Sequence, residues 1–128
     1  FSKQTAQIIL EGLQKCVEKT TFPTGTGTEA KIDGMLVAGK TGTAQVVRLA
    51  VQKEYTDQGL PVPREFRHHA WFVAGVLDRE PKIAVCVLIE HGQSGGAAAA
   101  PRARSVMEYF YKQEAKRTDR LAQGEATP

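Results

Sequence analysis

The chain has 128 residues, 41% of them hydrophobic and 24% charged, with a formal net charge of +3. That length allows one domain, and the composition is that of a folded globular chain. The basic residues do not form one stripe, which argues against a nucleic-acid partner. No run approaches the roughly 18 apolar residues of a membrane span. The chain begins at Phe1 instead of Met, so it is expected to be a piece of a longer protein. Cys16 and Cys86 lack metal-ligand spacing and could form a disulfide or stand as two buried thiols, the reading their apolar surroundings favour. No metal or cofactor is expected.

Residues 3 to 19 read as a helix, with Ile8, Ile9, Gly12, Leu13, Cys16 and Val17 forming one apolar face that is expected to meet the core. Thr20 to Lys31 is turn-like, with Pro23, Gly25 and Gly27 among four interleaved threonines, and reads as a connector. Asp33-Gly34 signals a turn before Met35 to Val47, which reads as a strand. That strand lacks strict alternation, which points to a central place in its sheet. Arg48 to His68 is rich in charge and proline and reads as a long, poorly ordered connection with a short strand extension near Val51.

His69 to Leu77 and Lys82 to Glu90 read as strands joined by the turn Asp78 to Pro81, an antiparallel hairpin. Both are apolar on both faces, so helices are expected on each side of the sheet. Trp71 and Phe72 are expected in the core and at a cleft rim. His68 and His69 are adjacent on a strand and point opposite ways, so they read as strand-entry residues, not metal ligands. His91 to Gly96 is a glycine-rich loop, and its His91 and Ser94 read as solvated. Ala97 to Lys112 reads as a helix with Pro101 in its first turn, Val106 and Phe110 facing the sheet and Tyr109 and Met107 as further candidates. Gln113 to Pro128 reads as a frayed tail. The order predicts an α+β fold, with an antiparallel sheet of about three strands covered by the N-terminal and C-terminal helices.

The most informative stretch is Gly39-Lys40-Thr41-Gly42-Thr43. Extended, it places Lys40, Gly42 and Ala44 on one face and Thr41, Thr43 and Gln45 on the other. A cation, two hydroxyls and glycines that let another backbone approach suit a strand edge that grips an anion. Gly34 to Thr41 also satisfies the phosphate-loop pattern G-x-x-x-x-G-K-[ST]. A phosphate loop needs a helix after it, whose N-terminus faces the phosphates. Here Gly42 and the β-branched run Thr43 to Val47 follow, so a nucleotide-binding reading is the weakest one.

Lys40-Thr41-Gly42 is also the third motif of the penicillin-recognising serine acyltransferases. Its context is Gly27-Thr28, Gly34, Val37 to Gln45 and His69-Ala-Trp-Phe-Val-Ala-Gly75, followed by a hairpin and a helix. Over residues 1 to about 115 this resembles the C-terminal portion of the transpeptidase domain of class B penicillin-binding proteins, most closely the elongation type, with 116–128 as a flexible C-terminal tail. The resemblance implies a penicillin-binding/β-lactamase-like transpeptidase fold. It implies peptidoglycan stem peptides ending in D-Ala-D-Ala, and β-lactams, as ligands. It further implies that Lys40 is catalytic and that Thr41, Gly42 and Thr43 bind substrate. In this family the matching lysine favours the substrate carboxylate and the proton transfers of acylation, and the matching hydroxyls bond the carboxylate. The N–H matching Thr43 supplies half of an oxyanion hole, and the glycine lets substrate add along the strand. The parent is expected at the periplasmic face of a bacterial inner membrane, within a rod-shape cell-wall synthesis complex.

The chain departs from the family pattern in two respects, lacking both Ser-x-x-Lys and Ser-x-Asn. Ser2, Ser94 and Ser105 are its only serines, none has lysine three residues on, and there is no asparagine. Nucleophile, base and oxyanion hole act together, so the 128 residues alone are expected to be inactive. They are expected to fold with the N-terminal remainder of the domain, as a second chain of a nicked protein, or to self-associate through a vacant strand edge. A non-catalytic peptide-binding or scaffolding module is the competing reading, and a β-lactamase or carboxypeptidase shares Lys-Thr-Gly.

Overall fold

The computed structural model describes residues 2–19 and 21–124. Its elements are helix α1 (Lys3–Glu18), strand β1 (Val37–Ala44), helix α2 (Leu49–Asp57), strands β2 (His69–Val76) and β3 (Ala84–Ile89), and helix α3 (Ala100–Ala122). Single 3-10 turns cover Thr28–Ala30 and Arg64–Phe66, and one π turn, Gly95–Ala99, leads into α3. The fold is α+β, as the element order predicts.

The three strands form one antiparallel sheet in the order β1-β2-β3. Lys40 stands opposite Val73, Thr41 opposite Phe72 and Gly42 opposite Trp71, while Phe72 faces Val87 on the other side. β1 is therefore an edge strand, not a central one. Its apolar first half is explained by burial of Val37, Ala38 and Gly39 beside α1, not by strands on both sides.

Burial alternates along β2: Ala70, Phe72, Ala74 and Val76 are buried, while Trp71 and Val73 are exposed. With Val37, Val85, Val17, Met107 and Tyr111 they make one core under a single face of the sheet. Phe72 is its centre. Its ring occupies the space that side chains at Gly27 and Gly39 would need, since a Cβ would lie 2.6 Å and 2.7 Å from it. Burying such a ring stabilises the domain by about 1.5–3 kcal/mol.

The opposite face is open, which corrects the expectation of helices on both sides. Trp71, Val73, Ala84, Cys86 and Leu88 are all exposed there. α1 and α3 both pack on the Phe72 side. The N-terminal half of α1 meets no core among the described residues, and Ile8 and Ile9 are exposed; only Val17 of its apolar stripe is buried. Both cysteines are free thiols, but Cys86 lies on the open face and Cys16 is half-buried, so the reading of two buried thiols fails.

Arg48 to His68 contains α2 and not a strand near Val51. Leu49 to Asp57 lacks Gly and Pro, and the Lys53–Asp57 ion pair spans one turn at 2.8 Å. α3 starts later than expected and runs through Ala122, where the sequence suggests a tail; Glu125 to Pro128 lie outside the described residues. Its buried face is Ala100, Ala103, Met107 and Tyr111, whereas Val106 and Tyr109 are exposed. Tyr111 closes this face by donating to the Pro81 carbonyl at 3.1 Å, and its burial raises the phenol pKa.

The start of β1 is pinned twice. Glu18, at the end of α1, accepts from the Val37 N–H (3.4 Å) and pairs with Lys31 (3.3 Å). Asp78, in the hairpin turn, accepts from the Leu36 N–H at 2.8 Å. Arg79 beside it donates to the Gly34 carbonyl. No helix among the described residues is long and apolar enough to cross a membrane.

Candidate active-site strand

The polar backbone groups of β1 divide by residue parity. The Leu77 N–H donates to the Leu36 carbonyl at 2.8 Å, making that a hydrogen-bonded pair just before the strand. Antiparallel pairs alternate, so residues 38, 40, 42 and 44 turn their N–H and C=O toward β2. Residues 37, 39, 41 and 43 turn theirs to the open edge. Two contacts agree: the Val37 N–H reaches Glu18, and the Thr41 carbonyl accepts from Lys40 Nζ at 2.9 Å. The N–H of Thr43 thus faces outward, one residue beyond Gly42.

Lys40, Thr41, Gly42 and Thr43, the residues singled out from the sequence, therefore converge on this edge. Lys40 is exposed on the open sheet face beside Val73, and its ammonium curls over the edge, donating to Thr41 Oγ1 at 3.4 Å. Thr41 and Thr43 lie on the other face, and Thr43 is exposed. A cation, two hydroxyls and an outward N–H within four residues can take a carboxylate and an adjacent carbonyl oxygen.

The phosphate-loop alternative does not survive the geometry. Val37–Ala44 is one strand, and no helix begins at Thr41. Its motif lies within a turn and a strand, with no helix N-terminus to hold phosphates.

Sequence reasoning missed what holds this edge from behind. Thr26, read as part of a connector, places its hydroxyl 2.9 Å from Thr41 Oγ1 and 3.3 Å from Cys16 Sγ. The Gly95-Gly96 pair lies beneath the strand: a Cβ on Gly95 would stand 2.8 Å from the Gly42 carbonyl oxygen, and one on Gly96 3.8 Å from Thr41 Cγ2. The only available signals were the Gly-Thr-Gly-Thr and Ser-Gly-Gly runs, which do not disclose their partners.

The histidines tie the ends of β1 and β2 together. His68 is buried, and its Nδ1 accepts from the Val46 N–H at 3.2 Å and lies 3.0 Å from Gln52 Nε2. His69 Nδ1 accepts from the His91 N–H at 2.9 Å. Both act as acceptors at Nδ1, a structural task. Ser94 caps the π turn by accepting from the Ala97 N–H at 3.2 Å. No group of His, Cys, Asp or Glu among the described residues could hold a metal ion.

Residues 1–108 match the penicillin binding protein transpeptidase domain. The chain belongs to that family. Among curated relatives it is 43% identical over 90 residues to the peptidoglycan D,D-transpeptidase MrdA of Haemophilus influenzae, covering 70% of this chain and 14% of that protein. It is 40% identical over 82 residues to the peptidoglycan D,D-transpeptidase PbpA of Mycobacterium tuberculosis, covering 60% and 14%. It is 32% identical over 111 residues to the probable peptidoglycan D,D-transpeptidase PenA of Neisseria gonorrhoeae, covering 84% and 16%. The chain thus spans about a seventh of the length of these relatives. No solved structure matches it. As a member of the transpeptidase family, the chain bears out the resemblance drawn from Val37 to Gln45 and His69 to Gly75.

Proposed function

We propose that this chain supplies the Lys-Thr-Gly wall of the cleft of an elongation-type peptidoglycan D,D-transpeptidase, at the periplasmic face of the inner membrane. The observation that carries the reading is the unpaired edge of β1, where Lys40, Thr41 and the outward N–H of Thr43 lie side by side. In this role Lys40 attracts the carboxylate of a D-Ala-D-Ala stem peptide or a β-lactam and supports proton transfer. Thr41 and Thr43 donate hydroxyl hydrogen bonds to that carboxylate. The Thr43 N–H stabilises the oxyanion formed as a serine attacks. Gly42 admits the substrate backbone, which adds to β1 as a further strand.

The serine and its base are not among these 128 residues, since no Ser-x-x-Lys occurs. The remainder of the domain contributes them in the parent. The second reading is a peptide-binding or scaffolding module without chemistry.

The test is β-lactam acylation of the full-length protein. Lys40→Ala is expected to slow it by roughly 100-fold or more, with a stability change within about 0.5 kcal/mol because Lys40 is exposed. The 128-residue chain alone is expected to stay unlabelled by fluorescent penicillin. Unchanged acylation in Lys40→Ala would remove the role of Lys40, and a full-length protein never acylated would leave the peptide-binding module.

A further inference from the structure

We propose that Thr26 is a positioning residue that sets the proton order of the Thr41 hydroxyl, so that Thr41 offers its hydrogen to a ligand carboxylate. This rests on the reading of β1 as a cleft wall and adds a residue outside the strand. Thr26 Oγ1 lies 2.9 Å from Thr41 Oγ1, and Cys16 Sγ lies 3.3 Å from Thr26 Oγ1.

A hydroxyl has one hydrogen and two lone pairs, and an ammonium only donates. Lys40 Nζ, 3.4 Å away, therefore takes one lone pair of Thr41 Oγ1. When an anionic ligand takes the Thr41 hydrogen, one lone pair remains for Thr26, and Thr26 must be the donor. Thr26 in turn can accept from the Cys16 thiol. The order runs Cys16 S–H to Thr26 O–H to Thr41 O–H to ligand. Each donor in such a chain polarises the next. Were Thr26 to act as acceptor, the Thr41 hydrogen would point back into the protein and only an oxygen lone pair would meet the carboxylate.

Thr26 is held where this order requires it. The Gly27 N–H donates to the Cys16 carbonyl at 2.9 Å, and the Gly25 N–H to the Lys19 carbonyl at 2.7 Å, so both neighbours are tied to the C-terminal end of α1. On the other side the bare backbone of Gly96 closes on the Thr26 carbonyl. The main chain that carries this hydroxyl is thus held by contacts from two elements, 15 residues from Thr41 in sequence.

The test compares wild type, Thr26→Val, Thr26→Ser and Lys40→Ala in the full-length protein, using a penicillin and its methyl ester as acylating probes. Thr26→Val is expected to raise the half-saturating concentration of the free acid about fivefold, the effect of one ordinary hydrogen bond, with the limiting rate changed by less than about twofold. The ester carries no carboxylate, so its variant-to-wild-type ratio is expected to be near one. Thr26→Ser is expected to restore binding. Thr26→Ala reports the same split should the valine disturb folding. Wild-type behaviour of Thr26→Val on the acid overturns the proposal, as does equal impairment on acid and ester. Loss of acylation in Lys40→Ala with none in Thr26→Val removes this inference alone, while an unaffected Lys40→Ala removes the cleft-wall reading on which it rests.

Discussion

The backbone of Gly95 rests against the paired backbones of Gly42 and Trp71: a Cβ built on Gly95 would meet the Trp71 carbonyl oxygen first and stand 2.8 Å from the Gly42 carbonyl oxygen and 3.1 Å from its nitrogen. The π turn before α3 is therefore the floor under the Lys-Thr-Gly strand. Gly95→Ala is expected to push β1 and β2 outward where Gly42 pairs with Trp71, next to the Thr43 N–H. Overpacking of this kind costs about 1–3 kcal/mol. Thermal unfolding and β-lactam acylation of full-length Gly95→Ala check this, and both are expected to fall. Normal acylation would mean that the strand accommodates the methyl group.

Asp78 offers a pH-dependent contact. The Leu36 N–H, with help from Arg79 and Lys82, holds its carboxyl below the usual carboxylate value, outweighing the opposing effect of desolvation. The unfolded chain binds the proton more readily than the folded one, so the contact stabilises the fold above the ordinary value. The contribution disappears as pH falls through the lower, folded value. Asp78→Ala should therefore lower the denaturant midpoint at pH 7, and the gap from wild type should narrow at about pH 3. A gap that stays constant across this range would mean that the carboxylate charge contributes nothing.

Cys86 reports on the open sheet face. It is an exposed free thiol among Trp71, Val73 and Leu88. In the 128-residue chain it is expected to react with a maleimide faster than the half-buried Cys16. In the full-length protein its labelling is expected to slow by an order of magnitude or more, because apolar surface of this kind is normally covered. Equal rates in both proteins would show that the face stays bare in the parent.

The hairpin was legible because β2 and β3 are runs of β-branched and aromatic residues interrupted by Asp78 to Pro81. The Lys-Thr-Gly strand was legible in its residue types but not in its place, since an apolar edge strand beside a helix reads like a central one. α2 was masked by the prolines that follow it. The face of α3 was legible in part: Met107 is buried and Phe110 packs on the core, but Val106 and Tyr109 are exposed, while Ala100 and Ala103 bury small side chains that carry little pattern. Neither Thr26 nor Gly95 was readable, because each matters only through a residue distant in the chain.

The unpaired half of β1, Lys40 to Ala44, carries a second burden. A bare strand edge invites other chains to pair with it, and proteins usually discourage this with charge, proline or a bulge. Here the sole charge in β1 is Lys40. Under the proposed function, the ammonium that would draw in a substrate carboxylate also acts as gatekeeper against uncontrolled strand exchange. On that reading, an apolar residue at position 40 would leave the edge sticky as well as inert, and solubility and recognition would constrain that lysine together.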